Sequence, residues 1–172
     1  MPVTPFHGGV GLLAKGFLGR RFSFISFCAT QVVIDCESAY HLLRDDWPIH
    51  RFLHTLPGAT AACTAVALLF RAVGARLDRK VSTRSGLTEL VRADLAAAAT
   101  GPAVMMTIVV GVLGHLIPDG IMHSDVRPFA PLSEANPLYR LVSLAALHWS
   151  LIAAGIFGAL LLARNARPMG KA

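Results

Sequence analysis

His115 and Asp119 are four residues apart, and His123 follows at the same interval, giving His-x3-Asp-x3-His. His50 and His54 are also separated by four, which on a helix would place them on one face. Imidazole nitrogens and carboxylate oxygens in one small volume are what a divalent transition metal needs, borderline nitrogen donors beside hard oxygens. Asp35 and His7, in two further apolar segments, supply the same donor types. Pro118 and Gly120 lie inside the His115–His123 run and are expected to break the helix, letting His123 fold back toward the others. The candidate ligands are therefore His7, Asp35, His50, His54, His115, Asp119 and His123, with zinc the expected ion. Metal-activated water would attack an ester or phosphoryl group. Asp35 or Asp119 would orient that water, and Arg51 and Arg127 would hold an anionic phosphate.

The segments that must position these residues are apolar. Of the 172 residues 54% are hydrophobic and 15% charged, against about 25% charged in an average soluble domain. Uncharged runs cover Leu95–Gly114, Leu141–Ala163 and Thr55–Phe70. About 20 apolar residues cross a hydrocarbon layer, so these three runs predict spans. Phe22–Ile34 is shorter and continues through Asp35 and Glu37, as a buried helix or a span with an inward polar end would.

Twelve of the sixteen Lys and Arg fall in three clusters: Lys15, Arg20 and Arg21; Arg71, Arg76, Arg79, Lys80, Arg84 and Arg92; and Arg164, Arg167 and Lys171. Basic loops stay cytoplasmic, so the segments between them must go out and return. Five antiparallel helices follow, about Pro5–Gly19, Arg21–Arg44, Gly58–Leu77, Thr88–Ile117 and Leu138–Arg164, with a long outer loop Pro118–Pro137. Asp46, with Pro48 in the first turn, is placed to cap a short helix before the third span. The expected architecture is an all-α, polytopic transmembrane bundle forming a single domain over residues 1–172.

Measured along each helix from its basic end, His7 and Asp35 lie about 20 Å away, His54 and His148 about 25 Å and His115 about 35 Å. All seven histidines share the pole opposite the basic clusters. That pole has four basic and seven acidic residues, and the other has twelve basic and three acidic. Ionisable groups inside membrane helices usually face a cavity or a partner. The expectation is a His/Asp layer at the non-cytoplasmic end of an inner (plasma) membrane protein, acting on a membrane lipid or on a small or lipid-linked substrate. His41 and Asp45 read as interfacial residues at a helix end, and Asp125 and Glu134 as solvated loop residues. Cys28, Cys36 and Cys63 show no ligand spacing and read as buried thiols. The amino-terminal basic residues follow the apolar stretch instead of preceding it, unlike a cleavable signal. The basic clusters lack interleaved aromatics, which argues against nucleic acid.

Two other classes fit parts of the pattern. His54, His115 and His148 could ligate haem in an electron-transfer bundle, although Asp35 and Asp119 would then have no purpose. A non-catalytic structural membrane protein could use the polar layer only to hold its helices together.

Thr4-Pro5-Phe6-His7, an Asp closing the second hydrophobic segment, His50-Arg51 followed by His54-Thr55, and Gly114-His115-Leu116-Ile117-Pro118-Asp119 together resemble a known family. These are the membrane-bound metal-dependent hydrolases of the LexA-binding inner-membrane type, distantly similar to zinc-dependent phospholipase C and to single-strand-specific zinc nucleases. The resemblance covers most of the chain and implies His and Asp ligands drawn from several helices, with His115 and Asp119 matching a His-x3-Asp pair. The family's Pro-Asp-x-Asp element stands here as Val33-Ile34-Asp35-Cys36-Glu37, and its His-Arg-Gly-x-Thr-His-Ser as His50-Arg51-Phe52-Leu53-His54-Thr55, one residue shorter.

Overall fold

The structure is a computed structural model that describes residues 6–78 and 87–166. Those residues form six α-helices and no strand: α1 (His7–Leu18), α2 (Phe24–Leu43), α3 (Leu56–Asp78), α4 (Leu87–Ala97), α5 (Gly101–Met122) and α6 (Leu144–Ala166). Short 3-10 turns occupy Gly19–Arg21 and Phe52–His54. Three helices are long and apolar enough to cross a membrane, over Leu56–Arg76, Gly101–Met122 and Leu144–Asn165. They fall on the three uncharged runs. The chain is an all-helical membrane protein. The twelve residues of α1 rise about 18 Å, too little to cross a hydrocarbon layer of about 30 Å. Thr4, Pro5, Arg79, Lys80, Arg84, Arg167 and Lys171 lie outside the described residues.

The expected fourth helix is two helices. Pro102 has no N–H to donate and its ring would clash with the carbonyl four residues back, so α4 stops at Ala97 and a new helix begins. Thr100 caps it, its hydroxyl accepting from the Ala103 N–H at 3.3 Å. The opposite correction applies further on, where α5 runs unbroken through Pro118 and Gly120 to Met122. Its end is held by Asn136, whose Nδ2 donates to the carbonyls of Gly120 (2.9 Å) and His123 (3.0 Å). A Cβ on Gly120 would stand 2.9 Å from the Leu138 side chain, so glycine there admits the outer loop against the helix. The last helix begins at Leu144 rather than Leu138 because Ser143 caps it, accepting from the Ala146 N–H at 3.2 Å.

No helix forms between Asp46 and Arg51. The Asp46 carboxylate, expected as a cap, is taken by the His41 ring at 3.0 Å and the Arg51 guanidinium at 2.6 Å. His41 is thus engaged at the end of α2, consistent with a helix-end role. His50 and His54 consequently do not share a helix face. His50 lies in an irregular segment and His54 closes the 3-10 turn.

Two buried clusters frame the polar layer. Ile34, Ala59, Cys63, Val112 and Leu116 join α2, α3 and α5. Ile121, Leu147 and Leu151, with Phe6 and Val10, join α5, α6 and the start of α1. Helix α6 packs mainly on α1, and glycines permit the approach: a Cβ on Gly9 would meet the Leu151 carbonyl oxygen at 2.1 Å. At the basic end Asp94 of α4 pairs with Lys15 of α1 at 2.5 Å. Its carboxylate also accepts from the Ser23 hydroxyl and the Phe24 and Ile25 N–H groups, so one buried side chain ties three helices and closes the start of α2. Met105, Val109, Leu113 and Ile117 form an exposed i,i+4 stripe on α5, the face a bilayer would cover. Cys63 is buried as expected, but Cys36 is exposed. It falls between Val32 and Tyr40, four residues either way, on the exposed apolar face of α2.

Candidate metal centre

Helix α2 is apolar on one face and carries Gln31, Asp35 and Ser38 on another, an i, i+4, i+7 stripe that is buried throughout. Helix α5 presents His115 and Asp119 toward that stripe, both almost completely buried. The 3-10 turn before α3 inserts His54 from a third direction, with no exposed surface. The start of α1 brings in His7, also buried.

The donors converge. His54 Nε2 and His115 Nε2 are 3.3 Å apart. Asp119 Oδ2 lies 3.2 Å from His115 Nε2 and 3.5 Å from His54 Nε2. Asp35 Oδ1 is 3.6 Å from His115 Nε2. One ligand atom from each of Asp35, His54, His115 and Asp119 falls within 4.8 Å of all the others. A tetrahedron with ligand bonds of about 2.0–2.1 Å has edges of about 3.3–3.4 Å, and the three separations among His54, His115 and Asp119, 3.2–3.5 Å, lie close to that.

The supporting contacts decide which ring nitrogens face inward. His54 Nδ1 is 3.2 Å from the Glu37 carboxylate, and His115 Nδ1 is 3.1 Å from the Gln31 side-chain oxygen. A carboxylate and a carbonyl oxygen can only accept, so both Nδ1 atoms carry the proton and donate. Both Nε2 lone pairs are then directed at one another across 3.3 Å, an arrangement a shared cation or proton must stabilise. His7 Nε2 stands 3.2 Å from Asp119 Oδ1. That contact lacks the geometry of a hydrogen bond, and among the described residues His7 Nδ1 has no hydrogen-bond partner either, although both residues are buried. Orphaned buried polar atoms of this kind are rare and call for a ligand. The residues fit a divalent metal.

Glu37 was not among the expected ligands, yet it organises the approach to the site. Its carboxylate accepts from the N–H groups of Arg51 (3.1 Å) and Leu53 (2.9 Å) as well as from His54. Burial pushes the His54 imidazole down, but its hydrogen bonds with Asp119 and Glu37 prevail and raise it to about 9. The same carboxylates that attract a proton to this ring would attract a cation in its place.

His50 and His123 lie just beyond, their ring centroids 4.4 Å apart, with His50 also 4.6 Å from His54. All seven expected ligand residues are therefore neighbours in one layer, even though the His50 and His54 backbones are not helical. Asp125 is a correction. It is not a solvated loop residue, because its Oδ1 accepts from His50 Nδ1 at 2.9 Å and its Oδ2 from the Ile49 and His50 N–H groups. Burial lowers His50 to about 4 and also lowers His123. Asp125 is likewise held below the usual carboxylate range, where burial opposes and the bond from His50 dominates.

A cavity of about 570 Å³ opens beside His50, walled by Phe52, Thr55, Pro57 and Pro131. Arg51 and Arg127 both line it. Arg51 is bonded to Asp46 and to the Pro48 carbonyl, and Arg127 pairs with Glu134. Glu134 is exposed, as expected of a loop residue. His148 does not join the layer, and packs edge-on against Phe6 at 4.6 Å. The His54–His115 nitrogen separation, closed in by carboxylates, leaves no room for a macrocycle between those rings, which argues against haem.

These features define a helical membrane protein with a buried His/carboxylate cluster suited to a metal. The chain belongs to the YdjM inner membrane protein family, matching it over residues 13–170. No curated protein and no solved structure matches the chain.

Proposed function

We propose that this chain is a membrane-bound, zinc-dependent hydrolase acting on a phosphoester, either a membrane lipid or a lipid-linked or small substrate. The observation that carries the reading is the convergence of His54, His115 and Asp119 donor atoms 3.2–3.5 Å apart with Asp35 beside them, both imidazoles being oriented by acceptors on their far nitrogens. His54, His115 and Asp119 would hold the ion and leave its fourth position toward Asp35, and His7 abuts it through Asp119. A bound zinc ion lowers the pKa of its water to about 7 and polarises a phosphoryl oxygen.

The chain's own residues supply the rest. Asp119 anchors the cluster as its central anion, touching His7, His54 and His115. Asp35 stands on the opposite helix as the base that orients the attacking water and takes its proton. Arg51 and Arg127 offer cationic walls for a phosphate, which would displace the exposed carboxylates of Asp46 and Glu134. The cavity is of the size that holds a drug-sized ligand, and its apolar walls suit an acyl chain. Arg20, Arg21, Arg71, Arg76 and Arg164 lie at the helix ends away from the cluster, which favours a multi-pass protein with its site facing the non-cytoplasmic side.

The test uses the full chain in detergent with bis-p-nitrophenyl phosphate and a long-chain phospholipid as probes. Hydrolysis is expected, abolished by a chelator and restored by zinc. Hydrolysis indifferent to the chelator, or none of either probe by the zinc-loaded protein, would overturn the proposal.

A further inference from the structure

Four carboxylates line the polar layer, two more than one divalent ion offsets. Asp35, Glu37, Asp119 and Asp125 all face the imidazoles, and among the described residues no Lys or Arg side chain enters the layer. Buried carboxylates without counter-charge are costly. One divalent cation balances two of them, which leaves two more for protons or for a second cation.

The outer half of the layer is arranged for the latter. One ligand atom each from His50, His123 and Asp125 lies within 4.8 Å of the others. Their positions are fixed by the backbone. Asp125 Oδ2 accepts the Ile49 and His50 N–H groups at 3.1 and 3.2 Å, which holds its carboxylate against that segment. The His123 N–H donates to the Asp119 carbonyl at 2.8 Å, and its own carbonyl is held by Asn136, so its ring leaves the end of α5 at a set angle. The His50 and His123 rings lie nearly side by side, tilted by 32°. Two imidazoles and a carboxylate form a three-ligand set of the kind that leaves zinc an open position. His50 lines the cavity, whereas none of the four inner donors does.

We infer that His50, His123 and Asp125 form a second, outer zinc site, set between the inner cluster and the cavity, so that an incoming phosphate meets this ion first. The inference rests on the reading of the inner cluster as a metal site. The alternative is that a proton alone joins His50 Nδ1 to Asp125, making them a supporting hydrogen-bonded pair.

Zinc stoichiometry separates these cases. The full chain in detergent is dialysed against zinc and assayed by elemental analysis, beside His123→Ala, Asp125→Asn and His115→Ala. The His123 ring is only half-buried, so its removal opens no large void, and Asp125→Asn provides a second variant that keeps an acceptor oxygen. Two zinc ions per wild-type chain, falling to one in both His123→Ala and Asp125→Asn, is the expected result. One ion in the wild type, kept by both outer variants and lost from His115→Ala, would overturn the outer site and leave the proposed function standing. One ion kept by His115→Ala but lost from His123→Ala would uphold the outer site and remove the inner one. No zinc in the wild type would end both.

Discussion

Asp119→Ala should lose hydrolytic activity and bind zinc at least about 100-fold more weakly, because removing even an outer partner of a metal ligand typically costs 10- to 100-fold. Asp119 is singled out because three imidazoles contact its carboxylate, His7 at 3.2 Å, His115 at 3.2 Å and His54 at 3.5 Å. Among the described residues no other side chain pairs with all three of these histidines. The isosteric Asp119→Asn keeps the volume and removes the charge, so it separates loss of the anion from loss of packing. Both variants should be read by zinc titration and by turnover of the phosphodiester probe, with circular dichroism to confirm helix content. Wild-type affinity and turnover in Asp119→Asn would show that this carboxylate does not bind the ion.

Glu37→Ala should have the second-largest effect, through a residue that does not itself reach the donor cluster. Its carboxylate holds two backbone N–H groups of the 51–54 segment and the Nδ1–H of His54. Hydrogen bonds to an ionised group contribute about 1.5–3 kcal/mol each, and the losses here are not independent. A net destabilisation of about 3 kcal/mol is expected, seen as a lower unfolding temperature in detergent. Zinc affinity should fall by about 10- to 100-fold, since His54 loses the acceptor that directs its Nε2 inward. Glu37→Gln can satisfy some of these donors and should fall between the two. A Glu37→Ala protein that binds zinc as the wild type does would mean that the tautomer of His54 is set by something else.

The sequence carried the spans and the chemistry of the site more readily than its geometry. Uncharged length identifies the three helices long and apolar enough to cross a membrane, because hydrocarbon thickness sets that length. Segregation of His and Asp from Arg and Lys announces the polar layer because ionisable side chains inside a membrane need one another. Pro102 sits inside an otherwise uniform apolar run that hydropathy alone reads as one helix, and it divides that run into α4 and α5. Pro118 does not break α5: it removes one hydrogen bond, and the end of the helix is secured by Asn136, sixteen residues beyond Gly120. Such a contact is invisible to any local rule. Gln31 and Asp125 are long-range partners of the same kind, since their roles depend on His115 and His50, 84 and 75 residues away. Gln31 did leave a trace. Its spacing from Asp35 and Ser38 marks a polar stripe on α2, and an i, i+4, i+7 reading of that helix would have drawn it into the site.

Histidines and carboxylates of several segments are proposed to bind one kind of metal ion. X-ray absorption at the zinc edge of the zinc-loaded full chain tests this most directly. The prediction is a first shell of nitrogen and oxygen at about 2.0–2.1 Å, with the outer scattering of at least two imidazoles and no sulfur near 2.3 Å. A sulfur shell from Cys28, Cys36 or Cys63, or a shell without imidazole scattering, would contradict it.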